Sequence, residues 1–212
     1  MPQQPPSRKS SRGIGPADFD QTGPISPTIM YNKKCMDIEI ASFINNLGQN
    51  TFIDTITRLI SSVTFLTIIG IIAVTTVYFF DKKHRKKIII TIILALIIHL
   101  LITEVIIKHG LIYIFDLRIR PYLAHPDIIE LIGSQKYTDS SFPSSHMAST
   151  SSIITILIYY YRKTLPFWII FILTLGFARI HNGMHYPTDI LAGITLGIIY
   201  GILSIYISKN KT

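Results

Sequence analysis

The stretch SSVTFLTIIGIIAVTTVYFF, residues 61–80, carries no charged side chain over its whole length. An α-helix rises about 1.5 Å per residue, so a run of this length spans a ~30 Å hydrocarbon core. Four more apolar runs follow. Residues 88–107 are interrupted only by His99 and Glu104. Residues 146–161 are shorter and richer in Ser and Thr. Residues 165–178 carry Pro166 in the first turn, where a missing N–H costs little. Residues 187–208 again open on a proline, and Gly193, Gly197 and Gly201 form a small-residue stripe that permits close helix packing. The fold expected is an all-α integral membrane bundle of five to six transmembrane helices.

Toward the N-terminus the pattern changes. Apolar residues recur with helical spacing at Ile38, Ile40, Phe43 and Ile44, then at Phe52, Ile53, Ile56 and Leu59, with Gly48-Gln49-Asn50 between. Residues 37–60 therefore read as two short amphipathic helices at the membrane interface, with a partial sixth span as the variant. Residues 1–29 are polar, rich in Pro, Ser, Gln and Arg, and hold no apolar stretch suited to a signal peptide. Too little apolar surface offsets their ordering entropy, so they are expected to form a disordered tail outside a membrane domain of residues 30–212.

Composition agrees. Hydrophobic residues are 49% and charged residues only 15% of the 212, against about 25% charged in a soluble domain. The net charge of +8 sits mostly between apolar runs, where it suits lipid headgroups and topology rather than nucleic acid. Cys35 is the sole cysteine, which excludes an intrachain disulfide and a zinc–thiolate cluster. Basic clusters lie at residues 82–87, at Arg162-Lys163, and at Lys209 and Lys211. Simple alternation of five spans puts all three on one side, and basic loops stay cytoplasmic. The loop of residues 108–145 and the turn of residues 179–186 then fall on the extracytoplasmic face of a multi-pass protein of the cell membrane.

That face gathers the chemistry. Three clusters adjoin span ends: RIRP at 118–121, FPSSH at 142–146, and ARIHNGMHYPTDILAG at 178–193. His185 just precedes a helix opened by Pro187, and Asp189 falls in its first turn, placed to accept the imidazole N–H and fix the tautomer. Alone, such a pair is more often a structural hydrogen bond. Ser144 and Ser145 stand at a helix start, where free N–H groups and the dipole favour an anion. His146 follows, placed to protonate a leaving oxygen. Singly, these are an N-cap and an interfacial histidine. Arg120 and Arg179 carry guanidinium forks that match phosphate oxygens, although either alone fits a snorkelling anchor. Two arginines, two histidines, an aspartate and a helix start on one face form a phosphate site with its own nucleophile and acid.

The second and third clusters resemble the signature of the type 2 phosphatidic acid phosphatases, the lipid phosphate phosphatases related to vanadium haloperoxidases. Arg120-Pro121 matches the end of that family's first motif, and the three motifs in order cover about residues 90–208. The resemblance implies a phosphatidic acid phosphatase type 2-like bundle in which His185 attacks phosphorus, Asp189 orients it and His146 protonates the leaving group. Arg120, Ser144, the Ser145 amide and Arg179 would hold the equatorial oxygens. It also implies metal-independent hydrolysis with no cofactor. The partners are then the bilayer and a lipid phosphate: phosphatidate-like, phosphatidylglycerophosphate-like or a polyprenyl diphosphate. Three departures stand out. Tyr113 occupies the family's lysine position, with Lys108 and Arg118 as the nearby charges; Ser145 replaces a glycine; and Ala178 replaces a serine. Two alternatives stay open: a lipid phosphotransferase on the same phosphohistidine, and a membrane transporter or anion-binding protein using the arginines for selectivity. The lipid and the oligomeric state are not legible.

Overall fold

The computed structural model describes residues 27–47, 50–110, 118–133 and 136–210. They form eight α-helices: α1 Pro27–Asn45, α2 Thr51–Ile60, α3 Val63–Phe80, α4 Arg85–His99, the single turn α5 Pro121–Ala124, α6 Ser145–Tyr160, α7 Leu165–His181 and α8 Pro187–Lys209. Helix α4 runs on without a break as a π-helix over Leu100–Gly110. The expected disordered tail lies outside the described residues except for its last three, which belong to α1. Asn50 is the N-cap of α2 and accepts the N–H groups of Phe52 and Ile53.

The expectation of five to six spanning helices needs correction. Among the described residues four helices are long and apolar enough: Val63–Phe80, Arg85–Gly110, Arg162–His181 and Pro187–Lys209. The fifth candidate, α6, has 16 residues, about 24 Å at 1.5 Å per residue, short of the ~30 Å core. Its serines and threonines belong in the bundle interior, where Ser151 and Ser152 are buried. Neither α1 nor α2 supplies a sixth span. Both pack on the end of the bundle that carries the three motifs, Asn45 bonding the His181 carbonyl at 2.7 Å and Asn182 bonding Ser61 Oγ at 2.7 Å.

Helix α6 is held centrally by α8. The stripe of Gly193, Gly197 and Gly201 lies against it so closely that a Cβ on Gly197 would come within 2.4 Å of the Ala148 carbonyl, and one on Gly193 within 2.6 Å of the Ser144 carbonyl. Two apolar clusters fill the rest. One joins Ala41, Tyr122, Met147, Leu175, Met184 and Ile190 at the motif end. The other joins Val77, Ile88, Ala95, Ile156 and Ile205 toward the opposite end. Residues 82–87, Arg162-Lys163 and Lys209 lie at that opposite end, where Lys209 Nζ sits over the ring of Tyr159 at 4.9 Å.

Candidate active site

Helix α7 ends on a glycine turn. Gly183 takes φ +71°, and its amide bonds the Ile180 carbonyl at 2.9 Å while Met184 N bonds the Arg179 carbonyl at 3.2 Å. A Cβ at Gly183 would sit 2.6 Å from the Glu130 carbonyl, so the position excludes every other residue twice over. This turn folds His185 back over Arg179 and leaves the imidazole 1 % exposed.

Its partners define its state. Nδ1 lies 2.8 Å from the Ser141 carbonyl, and a carbonyl only accepts, so Nδ1 carries the proton. Nε2 therefore keeps its lone pair. That lone pair faces Arg179 Nη2 at 2.9 Å and Arg120 Nη1 at 3.5 Å. Burial, then the charges of Arg179 and Arg120, hold the imidazole well below its ordinary pKa and so neutral. A neutral imidazole aimed between two guanidinium groups can act as a nucleophile toward an anion held by them.

Asp189 has a different task from the one expected. Its carboxylate is 3.7 Å from His185 Nδ1, too far for a hydrogen bond, and the Ser141 carbonyl has taken that place. The Asp189 oxygens accept instead from Tyr186 N at 2.9 Å and Arg118 Nη1 at 2.6 Å. Asp189 thus caps α8. Arg118 also pairs with Asp37, donates to Thr188 Oγ1 at 2.6 Å and lies over the Tyr186 ring at 4.1 Å. It clamps α1 to α8 and is not available to replace the family's lysine. Tyr113 lies outside the described residues.

Lys108 is the charge that reaches the site. It is 7 % exposed, and its Nζ contacts Asp139 Oδ2 at 3.1 Å and Glu104 Oε2 at 3.8 Å. The other Asp139 oxygen accepts from Arg120 Nη2 at 2.7 Å. Burial works against the Asp139 carboxylate, but the Arg120 hydrogen bond and the Lys108 charge outweigh it and hold its pKa below the ordinary value. The π-helical continuation of α4 places Lys108 here, which sequence spacing could not reveal. Asp139 and Ser141 were likewise missed, since Asp139 lies in an irregular loop and Ser141 acts through its backbone.

Ser144 and Ser145 open α6, with Ser144 N bonded to the Asp189 carbonyl at 3.2 Å. The hydroxyls of Ser144 and Ser145 and the Nε atoms of Arg120 and Arg179 are buried with no partner among the described residues. Unpartnered donors of this kind, with the first N–H groups of α6, suit an oxyanion. Burial, then the charges of Arg179, His185, Lys108 and Arg120, lower the His146 pKa to about 2, so a bound phosphate anion must offset them before this imidazole can hold a proton. It also borders an apolar groove of about 530 Å³ between α3, α4 and α6, lined by Leu66, Ile71, Ile92 and Leu96. Among the described residues no group of three His, Cys, Asp or Glu side chains is placed to hold a metal ion.

A family model described as PAP2 superfamily matches residues 89–212. The chain is 34% identical over 80 residues to the bacitracin transport permease protein BcrC of Bacillus licheniformis, covering 38% of each chain. It is 38% identical over 84 residues to the undecaprenyl-diphosphatase BcrC of Bacillus subtilis, covering 40% of this chain and 42% of that one. The match thus spans about two fifths of the length of these curated relatives. The crystal structure of Aquifex aeolicus LpxE superposes with a TM-score of 0.58 at 25% identity, covering 81% of this chain and 95% of that one.

Proposed function

The chain belongs to the PAP2 superfamily, and we propose that it is a membrane phosphatase that hydrolyses a lipid phosphate through a phosphohistidine at His185. The observation that carries this reading is the imidazole itself, neutral, held at Nδ1 by the Ser141 carbonyl and offering Nε2 between Arg179 and Arg120. In the first step Nε2 forms a bond to phosphorus as the P–O bond to the lipid breaks, and His146 gives the departing oxygen its proton. Arg120, Arg179, Lys108, Ser144 and the amides that start α6 hold the three equatorial oxygens while their charge redistributes. Water then attacks the phosphohistidine, His146 takes up its proton, and inorganic phosphate leaves. Asp189 acts through its cap on α8, which fixes the turn that carries His185.

The groove beside His146 supports a lipid as substrate. A tail lying between α3, α4 and α6 brings its phosphate to the helix ends without leaving the bilayer, and the area it buries anchors the head. The relative described as an undecaprenyl-diphosphatase makes a polyprenyl diphosphate the first substrate to test, beside phosphatidate and phosphatidylglycerophosphate. The decisive assay is phosphate release by purified protein in detergent or vesicles. Brief reaction with a 32P-labelled substrate should leave an acid-labile, base-stable label on the wild-type protein and none on His185→Gln. Phosphate release with no such label, or a label that persists in His185→Gln, overturns the nucleophile assignment. Absence of release from all three lipids overturns the enzyme reading.

A further inference from the structure

Helix α3 stands apart from the bundle. Only 6 % of its span is buried, Val77 being the buried residue, and an apolar groove follows each of its flanks. One groove ends at His146. The other, also about 530 Å³, lies between α3, α6 and α7 toward the opposite end of the molecule, walled by Ile72, Val77, Leu157 and Trp168. Its mouth is formed by Asp81 and Tyr161, and the loops that hold these two residues each carry a basic pair. Lys82-Lys83 follow Asp81, and Arg162-Lys163 follow Tyr161. All four are exposed, and none forms an ion pair with a described residue. The one acid at the mouth is already engaged: Asp81 accepts from Tyr161 Oη at 2.7 Å and from His84 N at 2.8 Å. The mouth therefore keeps a net positive field above an apolar slot, and α3 has little else to pack against on that flank.

We propose that this second groove binds an anionic phospholipid of the leaflet opposite the active site, one acyl chain lying along α3 and the headgroup between Lys82-Lys83 and Arg162-Lys163. Charge selects the lipid: a zwitterionic headgroup offers the four cations no net attraction, whereas basic side chains at a membrane surface hold anionic lipids strongly. The bound chain completes the packing of α3, whose other flank forms the groove at His146. The inference is independent of any chemistry at His185.

The molecule carries its own probe. Trp168 is the only tryptophan, it lines this groove, and its ring is fixed by an Nε1–H bond of 3.0 Å to Thr164 Oγ1. Protein reconstituted into zwitterionic vesicles is titrated with brominated phosphatidylglycerol or with brominated phosphatidylcholine, and quenching of Trp168 is compared at equal mole fraction. The expected half-quenching fraction is on the order of fivefold lower for phosphatidylglycerol, about what one basic side chain contributes. Raising the salt of the same wild-type vesicles should shrink that ratio, because the pairs are exposed. Lys82→Gln with Lys163→Gln should bring it toward one. Equal quenching by the two lipids overturns the proposal, and so does a preference that neither salt nor the double variant changes. Ala73→Phe, which fills the slot from α3, should weaken quenching by both lipids; unchanged quenching would place the lipid elsewhere on Trp168.

Discussion

At the scale of the residue, the site is governed by where two carboxylates spend their charge. Asp189, the acid that the motif spacing pairs with His185, is used on Arg118 and the start of α8. Asp139, which no motif marks, bridges Arg120 and Lys108 and, in the proposed reaction, would compete with a substrate phosphate for the same cations. Its lowered pKa keeps it charged through the neutral range, so protonation does not relieve the competition until well into acid. Asp139→Asn is expected to lower KM, and the inhibition constant of phosphate, by about two- to fivefold, what a half-exposed ion pair is worth, with kcat nearly unchanged. Steady-state kinetics checks this; a rise in KM would mean that Asp139 orients the two cations instead. The pH profile tests the field around His185. Burial, Arg179 and Arg120 all favour the neutral imidazole, so its folded pKa lies below 6.5 and the wild type should show no loss of nucleophile near that pH. Arg120→Gln removes one positive neighbour and raises the His185 pKa. The variant's kcat/KM, already about 10²–10³-fold lower for want of one oxyanion donor, should fall further relative to wild type as pH drops below 6.5. Taking the ratio cancels the ionisation of the substrate. A ratio independent of pH would remove Arg120 from control of the imidazole.

At the scale of the element, the apolar runs were legible because a membrane demands length and hydrophobicity from each span separately. The starts of α3, α7 and α8 follow residues 61, 165 and 187 closely. What the sequence concealed is relational. Helix α6 reads as a span from its Ile and Tyr residues, but its 16 residues and buried serines make it an inner helix. Lys108 is four residues from Glu104, a spacing that suggests only a local helical pair, and the π-helical path of residues 100–110 shows that it also reaches Asp139. The tautomer of His185 depends on a backbone carbonyl, and side-chain motifs say nothing of carbonyls. The glycine stripe was visible, and the structure gives it a partner. An alanine at an ordinary exposed helix glycine gains about 1 kcal/mol. At Gly197 the new Cβ would meet the Ala148 carbonyl at 2.4 Å and Ser151 Cβ at 2.7 Å, and backbone cannot swing aside as a long side chain does. Gly197→Ala should therefore cost about 1–3 kcal/mol and lower turnover, because α8 seats the start of α6 through the Ser144–Asp189 bond. Gly70→Ala on α3, with nothing within 4 Å, should be neutral or slightly stabilising. Thermal unfolding in detergent, followed by Trp168 emission, compares the two; equal midpoints would show that the α6–α8 seam is looser than the packing implies.

At the scale of the whole molecule the polar groups divide between two ends. His185, Arg120, Arg179, Lys108 and the starts of α6 and α8 share one end with α1 and α2, while residues 82–87, Arg162-Lys163 and Lys209 share the other. Short basic loops beside spans stay cytoplasmic, and on that rule we propose that the site faces outward. Arg8, Lys9 and Arg12 precede the first span in the sequence and, counted as its N-terminal flank, oppose that assignment. They are, however, well beyond the about 15–20 residues from a span end over which the rule is counted, so the loop clusters are expected to prevail. Cys35 is the only cysteine, and Cys35→Ser gives a background free of thiols. A cysteine at exposed Asp127, in the loop beside the site, should react with an impermeant thiol reagent in intact cells. One at exposed Lys163 should react only after permeabilisation. The reverse pattern would turn the site toward the cytoplasm and make its substrate a cytoplasmic pool of lipid phosphate. Labelling of both from one side would mean that α7, which joins the Lys163 loop to the site, does not cross the bilayer, and with it the separation of the two ends would fail.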